Sequence, residues 1–145
     1  MLSDFIDRCA DALVRAEGTI RYQEYDLQGA GLCVRLRIAG PALAEATLPA
    51  LAHLLSDEKC PSPDITLHLW DGAAIGLRPP RPPFTPDDYR RYGQRAVAHD
   101  GVRSLMHAPV SGQFFAYDRS CRQGLFWVED AGQLSIYERA APVQT

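Results

Sequence analysis

Four side chains in the middle of the chain are of types that could bind a ligand. Arg35 and Arg37 alternate onto one face of a predicted strand, and two guanidinium groups side by side are suited to an anion. His68 and Trp70 share a face of a second predicted strand, where an imidazole and an indole could contact a ligand together. We favour the structural alternatives, which are a solvated sheet face for the two arginines and a face packed against another layer for His68 and Trp70.

A further candidate surface lies near the end of the sequence. Residues 134–139 alternate as a strand does, with Leu134 and Ile136 on one face and Tyr137 and Arg139 on the other. A strand with an apolar face can pair with another copy of the chain through a free edge. We therefore predict self-association through residues 134–142, most simply as a two-fold dimer.

The compact motifs that mark common enzyme active sites are missing from the sequence. The P-loop pattern GxxxxGK[ST], the nucleophile elbow GxSxG and the zinc-protease pattern HExxH do not occur. Adjacent carboxylates such as Asp87-Asp88 fall in predicted loops and helix starts, where they serve solubility and capping. The sequence therefore assigns no catalytic residue, no cofactor and no metal site, and it leaves open whether the protein is an enzyme.

The cysteines and the charges indicate the compartment and exclude some partners. The four cysteines are far apart and form no CxxC pair, and the first residues do not resemble a signal peptide. We therefore expect a reducing compartment, free thiols and a cytoplasmic location. No apolar run approaches the roughly 20 residues that a membrane span requires. The net charge is −3 with basic residues scattered among acidic ones, which argues against a nucleic-acid partner.

Helices that would position the candidate residues are predicted from hydrophobic spacing and capping. The 145 residues, 46% of them hydrophobic, predict a single domain over 1–145 with a core of its own. An apolar stripe predicts a helix over residues 4–16, and Pro41 begins a second helix that Pro49 should kink or split. Thr85 caps a third, short helix. We interpret the proline-rich residues 77–83 as a stiff connector rather than a polyproline ligand.

Strands occupy both halves of the chain. Alternating apolar residues predict them over residues 19–25, 32–38, 65–70, 102–107, 113–117, 125–129 and 134–139. Residues 26–31 connect the first two, and the strand over 65–70 lies mid-chain, so we expect it to be central. The last four follow one another with short turns, as in an antiparallel meander. The fold class is therefore α+β, a mostly antiparallel sheet with the N-terminal and the proline-kinked helices packed on one face.

Parts of these predicted strands resemble the amino-terminal region of HPr-kinase-like proteins, which are bacterial P-loop proteins related to HPr serine kinase/phosphorylase. The resemblance runs from about Tyr22 to Pro142, and Ser135-Ile136 departs from the proline–aromatic pair of the family. The residues that carry it are Ile65-Thr66-Leu67-His68-Leu69-Trp70-Asp71, Ala116-Tyr117-Asp118, Phe126-Trp127-Val128 and, most specific, Tyr137-Glu138-Arg139-Ala140-Ala141-Pro142.

The resemblance implies a role without catalysis. In the family, the Glu-Arg-Ala-Ala-Pro segment leads into a P-loop kinase domain, which has no counterpart in these residues. The chain would then be a non-catalytic N-terminal domain that serves substrate recognition or oligomerisation, with its own kinase domain or a peptide or protein substrate as partner. The alternative is a free-standing α+β module that binds a peptide or a small ligand, and an enzyme in its own right is least favoured. A P-loop encoded soon after Thr145 would favour the first interpretation, and a stop codon the second.

Overall fold

Seven strands form one sheet in the computed structural model, which describes residues 2–77, 80–91, 95–109 and 112–133. Their order across the sheet is β1-β2-β3-β7-β6-β5-β4. Neighbouring strands pair antiparallel, except that β3 runs parallel to both β2 and β7. The strands are β1 Gln23–Gly29, β2 Leu32–Ala39, β3 Ile65–Asp71, β4 Ala96–His99, β5 Arg103–Ala108, β6 Gln113–Asp118 and β7 Gln123–Val128.

The helices lie mostly in the first half of the chain, so the fold belongs to the predicted α+β class. Among the described residues they are α1 Leu2–Ala16, α2 Pro41–Leu51, α3 Gly72–Ile75 and α4 Pro86–Arg91, with 3₁₀ turns at Ala52–Leu54 and Ala131–Gln133. Pro41 begins α2 as predicted, because its missing N–H has no helical partner at that position. Pro49 stays inside α2, which ends two residues later at Leu51 and continues as the 3₁₀ turn at Ala52–Leu54.

The two long helices cover opposite faces of the sheet, so the expectation that helices pack on one face is wrong. On one face α1 buries Phe5 and Cys9 against Trp70, and on the other α2 buries Leu43 and others against Leu69. The physical reason is visible in β3, where the adjacent side chains of Leu69 and Trp70 are both fully buried although they point to opposite faces. We call these the α1-side core and the α2-side core.

The first hairpin differs from its prediction. The strand β1 runs on to Gly29, and only Ala30 and Gly31 form the turn, both with positive φ (53° and 78°). Two consecutive residues with positive φ make a tight turn whose twist matches the twist of the two strands that it joins. The sequence prediction failed because Asp26, a turn-forming residue by type, is buried in the strand beside Leu27.

The C-terminal meander is confirmed for β5, β6 and β7, with bounds within two residues of those predicted. The prediction missed β4, a four-residue strand at the edge, and the single-turn helix α3. The helix after Thr85 is confirmed over α4, where Asp88 accepts hydrogen bonds from the backbone N–H of Thr85 (2.7 Å) and from its hydroxyl (3.1 Å). The predicted strand over 134–139 and part of the proline-rich connector lie outside the described residues.

The cysteines correct one expectation. Cys33 and Cys60 form a disulfide across 27 residues of sequence, so the expectation of free thiols is wrong for this pair and right for Cys9 and Cys121. Sequence spacing could not show this pairing, since a strand and a distant loop bring the two sulfurs together. Burial raises the pKa of the Cys9 thiol to about 12.

Within the described part of the chain, every helix is too short or too polar to cross a membrane.

Candidate functional site

A cleft of about 1040 Å³ opens at one end of the sheet, where the three parallel strands terminate. The strands β2, β3 and β7 end there, and the chain leaves them into α2, α3 and the 3₁₀ turn at Ala131–Gln133. Parallel strands place their carboxyl ends at the same edge, and the crevice outside that edge is where open sheets bind ligands. The end of α1 forms the opposite wall.

Apolar and aromatic side chains form most of the cleft, and the charged residues among its described lining are Arg15 and Arg21. Arg15 and Arg21 are both solvent-exposed, and neither forms an ion pair with a described residue; Arg15 Nε donates only to the Asp11 carbonyl, at 3.4 Å. No carboxylate lines the cleft among the described residues. The larger apolar and aromatic lining residues are Ile20, Tyr22, Ile38, Pro41, Ile75, Leu77 and Trp127. The cleft therefore combines an apolar interior with positive charge.

An aromatic group supports one wall of the cleft. Trp127 packs edge-on against Trp70, with ring centroids 4.7 Å apart, and Trp70 Nε1 donates to the Tyr22 hydroxyl at 2.9 Å. Burial raises the pKa of Tyr22, so its hydroxyl stays protonated at neutral pH. Trp127 Nε1 is buried and has no acceptor among the described residues. This indole N–H is a polar group that a bound acceptor could satisfy.

The back of the cleft is held together by Asp71, which is 3% exposed at the end of β3. Its Oδ1 accepts hydrogen bonds from the backbone N–H of Ala73 (3.2 Å) and of Ala131 (3.3 Å), and so joins the segments that follow β3 and β7. Gly40, at φ 124°, begins the segment that follows β2, and a Cβ there would lie 2.7 Å from Asp71 Cβ. Only glycine permits this close approach, so the three strand ends form one rigid wall.

Of the residues predicted from the sequence, the two arginines are engaged with carboxylates. Arg35 Nε lies 3.0 Å from Asp26 Oδ1, and Arg35 also donates to the Cys60 carbonyl at 2.6 Å. Arg37 contacts Glu17 at 2.8 Å and Glu24 at 3.3 Å. Both side chains are mostly covered, with 17% and 19% of their surface exposed, so they form neither an open anion site nor a solvated face.

His68 and Trp70 lie on a face of β3 that packs against another layer, which is the alternative that we favoured for them from the sequence. Trp70 is fully buried in the α1-side core, and His68 is 5% exposed beside Arg37, its neighbour across β2 and β3. Burial first, and the Arg37 charge second, lower the pKa of His68 to about 4. Arg37 also stacks over the Tyr22 ring at 4.1 Å, so these residues support the cleft from behind through Tyr22. Tyr137 and Arg139 lie outside the described residues.

The cleft and the two arginines that line it were not predicted from the sequence. Arg15 and Arg21 flank the end of α1, and each follows an acidic residue by four positions, Asp11 and Glu17, so nothing in the sequence indicated that neither arginine forms an ion pair with a described residue. The sequence also contains no signal that Trp127 lines the cleft, because its position depends on β7 pairing with a strand more than fifty residues earlier.

One described group of side chains could hold a metal ion: Asp26, Cys33 and Cys60, whose ligand atoms lie within 4.8 Å of one another.

Comparison with known proteins identifies no family for this chain. No protein-family model matches it, and neither the curated proteins nor the solved structures contain a match. The resemblance to HPr-kinase-like proteins is therefore a proposal that depends on the sequence pattern alone.

Proposed function

We propose that this chain is a non-catalytic binding module whose site is the cleft at the ends of β2, β3 and β7. The ligand has an apolar body and one carboxylate, as a small apolar acid or the C-terminus of a peptide has. The observation that carries the proposal is the lining, which is mostly apolar, carries positive charge from Arg15 and Arg21, and contains no carboxylate among the described residues. Binding sites of this kind are mostly apolar and use a few polar groups to orient the ligand.

The two arginines supply selectivity for the anion. A guanidinium that forms no ion pair with a described residue can form charge-assisted hydrogen bonds to an incoming carboxylate without first losing such a partner. A hydrogen bond to a charged group contributes roughly 1.5–3 kcal/mol, which corresponds to about tenfold or more in affinity. The apolar walls would bind the body of the ligand.

Tryptophan fluorescence tests the proposal directly, since Trp127 lines the cleft and Trp70, the other tryptophan of the chain, packs against it. The chain is titrated with a medium-chain fatty acid and with the alcohol of equal length, then with an apolar tripeptide carrying a free or an amidated C-terminus. We expect saturable binding of one acid, at least about tenfold tighter than its uncharged match. The better-binding pair shows whether the source of the carboxylate is a small acid or a peptide.

Two variants and a matched control identify the site. Arg15→Gln and Arg21→Gln should each reduce the preference for the acid, whereas Arg90→Gln, in exposed α4, should not. Equal affinity for acid and uncharged match would show that the anion is not recognised. No saturable binding of any probe would show that the cleft is not a site for this class of ligand.

A second proposal follows from the resemblance: the module is the N-terminal domain of an HPr-kinase-like serine kinase of the bacterial cytoplasm, and the cleft binds its substrate. Three of the four resembling segments lie on neighbouring strands, since Ile65–Asp71 is β3 and the other two end β6 and β7. Sequencing the gene past Thr145 tests it. A P-loop within a few dozen codons supports this proposal, and a stop codon supports a free-standing module.

A further inference from the structure

Four residues of the first hairpin and one loop residue form a cluster away from the cleft. Asp26 faces Arg35 across β1 and β2, and Gln28 faces Cys33 in the same way, so all four share one face of the hairpin. Cys60, from the loop after α2, closes the group through its disulfide to Cys33. Gln28 Nε2 lies 3.4 Å from Cys60 Sγ. The cluster therefore joins two sulfurs, one carboxylate and one amide.

The loop that carries Cys60 is held to the hairpin by contacts that do not need the disulfide. Asp26 Oδ2 accepts the backbone N–H of Cys60 at 2.7 Å, and Arg35 donates to the Cys60 carbonyl at 2.6 Å. Further along, the backbone N–H of Ser56 donates to the Asp26 carbonyl (2.9 Å) and that of Asp64 to the Cys33 carbonyl (2.8 Å). After reduction the two thiols would therefore remain close together.

We propose that Cys33, Cys60 and Asp26 form a zinc site in the reduced protein, which the disulfide replaces under oxidising conditions. Thiolates and carboxylates are zinc ligands, and the three ligand atoms already lie within 4.8 Å of one another. Two sulfurs at tetrahedral zinc are about 3.8 Å apart, since each Zn–S bond is about 2.3 Å. The Cα atoms are separated by 6.7 Å, which allows the sulfurs to move apart by that amount through side-chain rotation. The fourth ligand is a water or the Gln28 amide oxygen, because Gln28 is exposed and its amide can be turned over.

Charge balance favours an exchange between these two forms. With the disulfide intact, the Asp26 carboxylate is neutralised by Arg35. Two thiolates and the carboxylate carry three negative charges, and Zn²⁺ with Arg35 carries three positive ones, so the zinc form is neutral as well. The oxygens of Asp26 accept three hydrogen bonds here, which leaves one of about four lone pairs for a metal.

The chemistry of the exchange balances with a thiol reductant. Two electrons and two protons from a dithiol convert the Cys33–Cys60 disulfide into two thiols, and the dithiol becomes a disulfide. Binding of Zn²⁺ then releases the two thiol protons to solvent. Oxidation in the reverse direction expels the metal. Zinc uptake should therefore depend on the redox state of Cys33 and Cys60. It should also release protons in proportion to the Zn²⁺ bound.

Cobalt is the probe for the test, because thiolate-to-cobalt charge-transfer absorption reports sulfur ligation. The full chain is reduced with a phosphine under argon, freed of reductant and titrated with Co²⁺. We expect one Co²⁺ per chain with this absorption, its bleaching by Zn²⁺, and no absorption in the oxidised protein. In the same samples, Zn²⁺ should protect Cys33 and Cys60 from alkylation, which mass spectrometry measures without any substitution.

Variants assign the ligands. Cys33→Ser and Cys60→Ser should abolish the absorption, and Asp26→Asn should weaken Co²⁺ binding at least about tenfold, as loss of metal-site support does. Cys121→Ser removes an exposed free cysteine and should bind as the original chain does. No cobalt absorption in the reduced protein, or absorption that survives Cys33→Ser, would overturn the proposal. Unchanged binding by a folded Asp26→Asn would overturn the carboxylate ligand and with it the three-residue site.

Discussion

Burial decides what each polar side chain can do in this protein. Arg35 and Arg37 are exposed by residue type but are mostly covered in the fold, because the carboxylates of Asp26 and Glu17 neutralise them. His68 is compensated less well, because its Nδ1 is buried without a partner among the described residues, and burial outweighs the charges of Glu17 and Glu24 and the hydrogen bond with Gln123. The imidazole is therefore held neutral, since desolvation penalises only the charged form.

The depressed pKa of His68 makes stability depend on pH in a defined window. Its pKa is about 4 in the folded chain and 6.5 as the ordinary value, so the unfolded state binds more protons between these limits. The His68 contribution is therefore complete above pH 6.5 and is lost as the pH falls toward 4, by about 3 kcal/mol at most. Urea unfolding of His68→Gln across this range should show a smaller loss than the original chain.

The control for this prediction is His53→Gln, because His53 is exposed in the 3₁₀ turn after α2. That variant should retain the full pH dependence, and it leaves His107 intact, whose pKa burial also lowers. The same pH slope in His68→Gln and in the original chain would show that His68 is not the group responsible.

Among the elements, β3 shows most clearly what alternation in a sequence can and cannot predict. The pattern Ile65–Asp71 correctly predicted a strand and the two sets of side chains on its faces. A packed face for His68 and Trp70 was the favoured interpretation, but the pattern could not show which segment covers that face. That outcome depends on α1 packing against the face of Trp70, a contact between segments more than fifty residues apart.

Substitutions on the two faces of β3 should both be costly. Leu69→Ala removes a fully buried side chain from the α2-side core and should reduce the free energy of unfolding by about 2–5 kcal/mol. Trp70→Ala removes one from the α1-side core and should cost about 3–5 kcal/mol. Thr66→Ala, at a half-buried position, should cost no more than about 1 kcal/mol. A Trp70→Ala loss as small as that of Thr66→Ala, in urea melts, would contradict a core on both faces.

For the whole molecule, the fold class was predictable and the candidate site was not. Local patterns predicted α1, β2, β3 and the meander, because each depends on spacing within one segment. The cleft exists because β7 returns to pair parallel with β3, which places Trp127 near the end of α1. Neither the disulfide nor this strand order leaves a local pattern, since both depend on contacts between distant segments.

Self-association is the prediction that concerns the assembled molecule. Residues 134–142 lie outside the described residues, and the prediction depends on the alternation of Leu134 and Ile136 with Tyr137 and Arg139. An apolar strand face with a free edge favours pairing with a second copy, in its simplest form by two-fold symmetry. Light scattering should therefore give about twice the chain mass of 16.0 kDa.

Tyr137→Asp should shift the mass toward the monomer, because a carboxylate is costly to bury in an apolar contact. Val14→Asp, at a 75% exposed position on α1, is the matched control and should leave the mass unchanged. A monomer at high micromolar concentration, or equal effects of the two substitutions, would show that this segment does not form the interface.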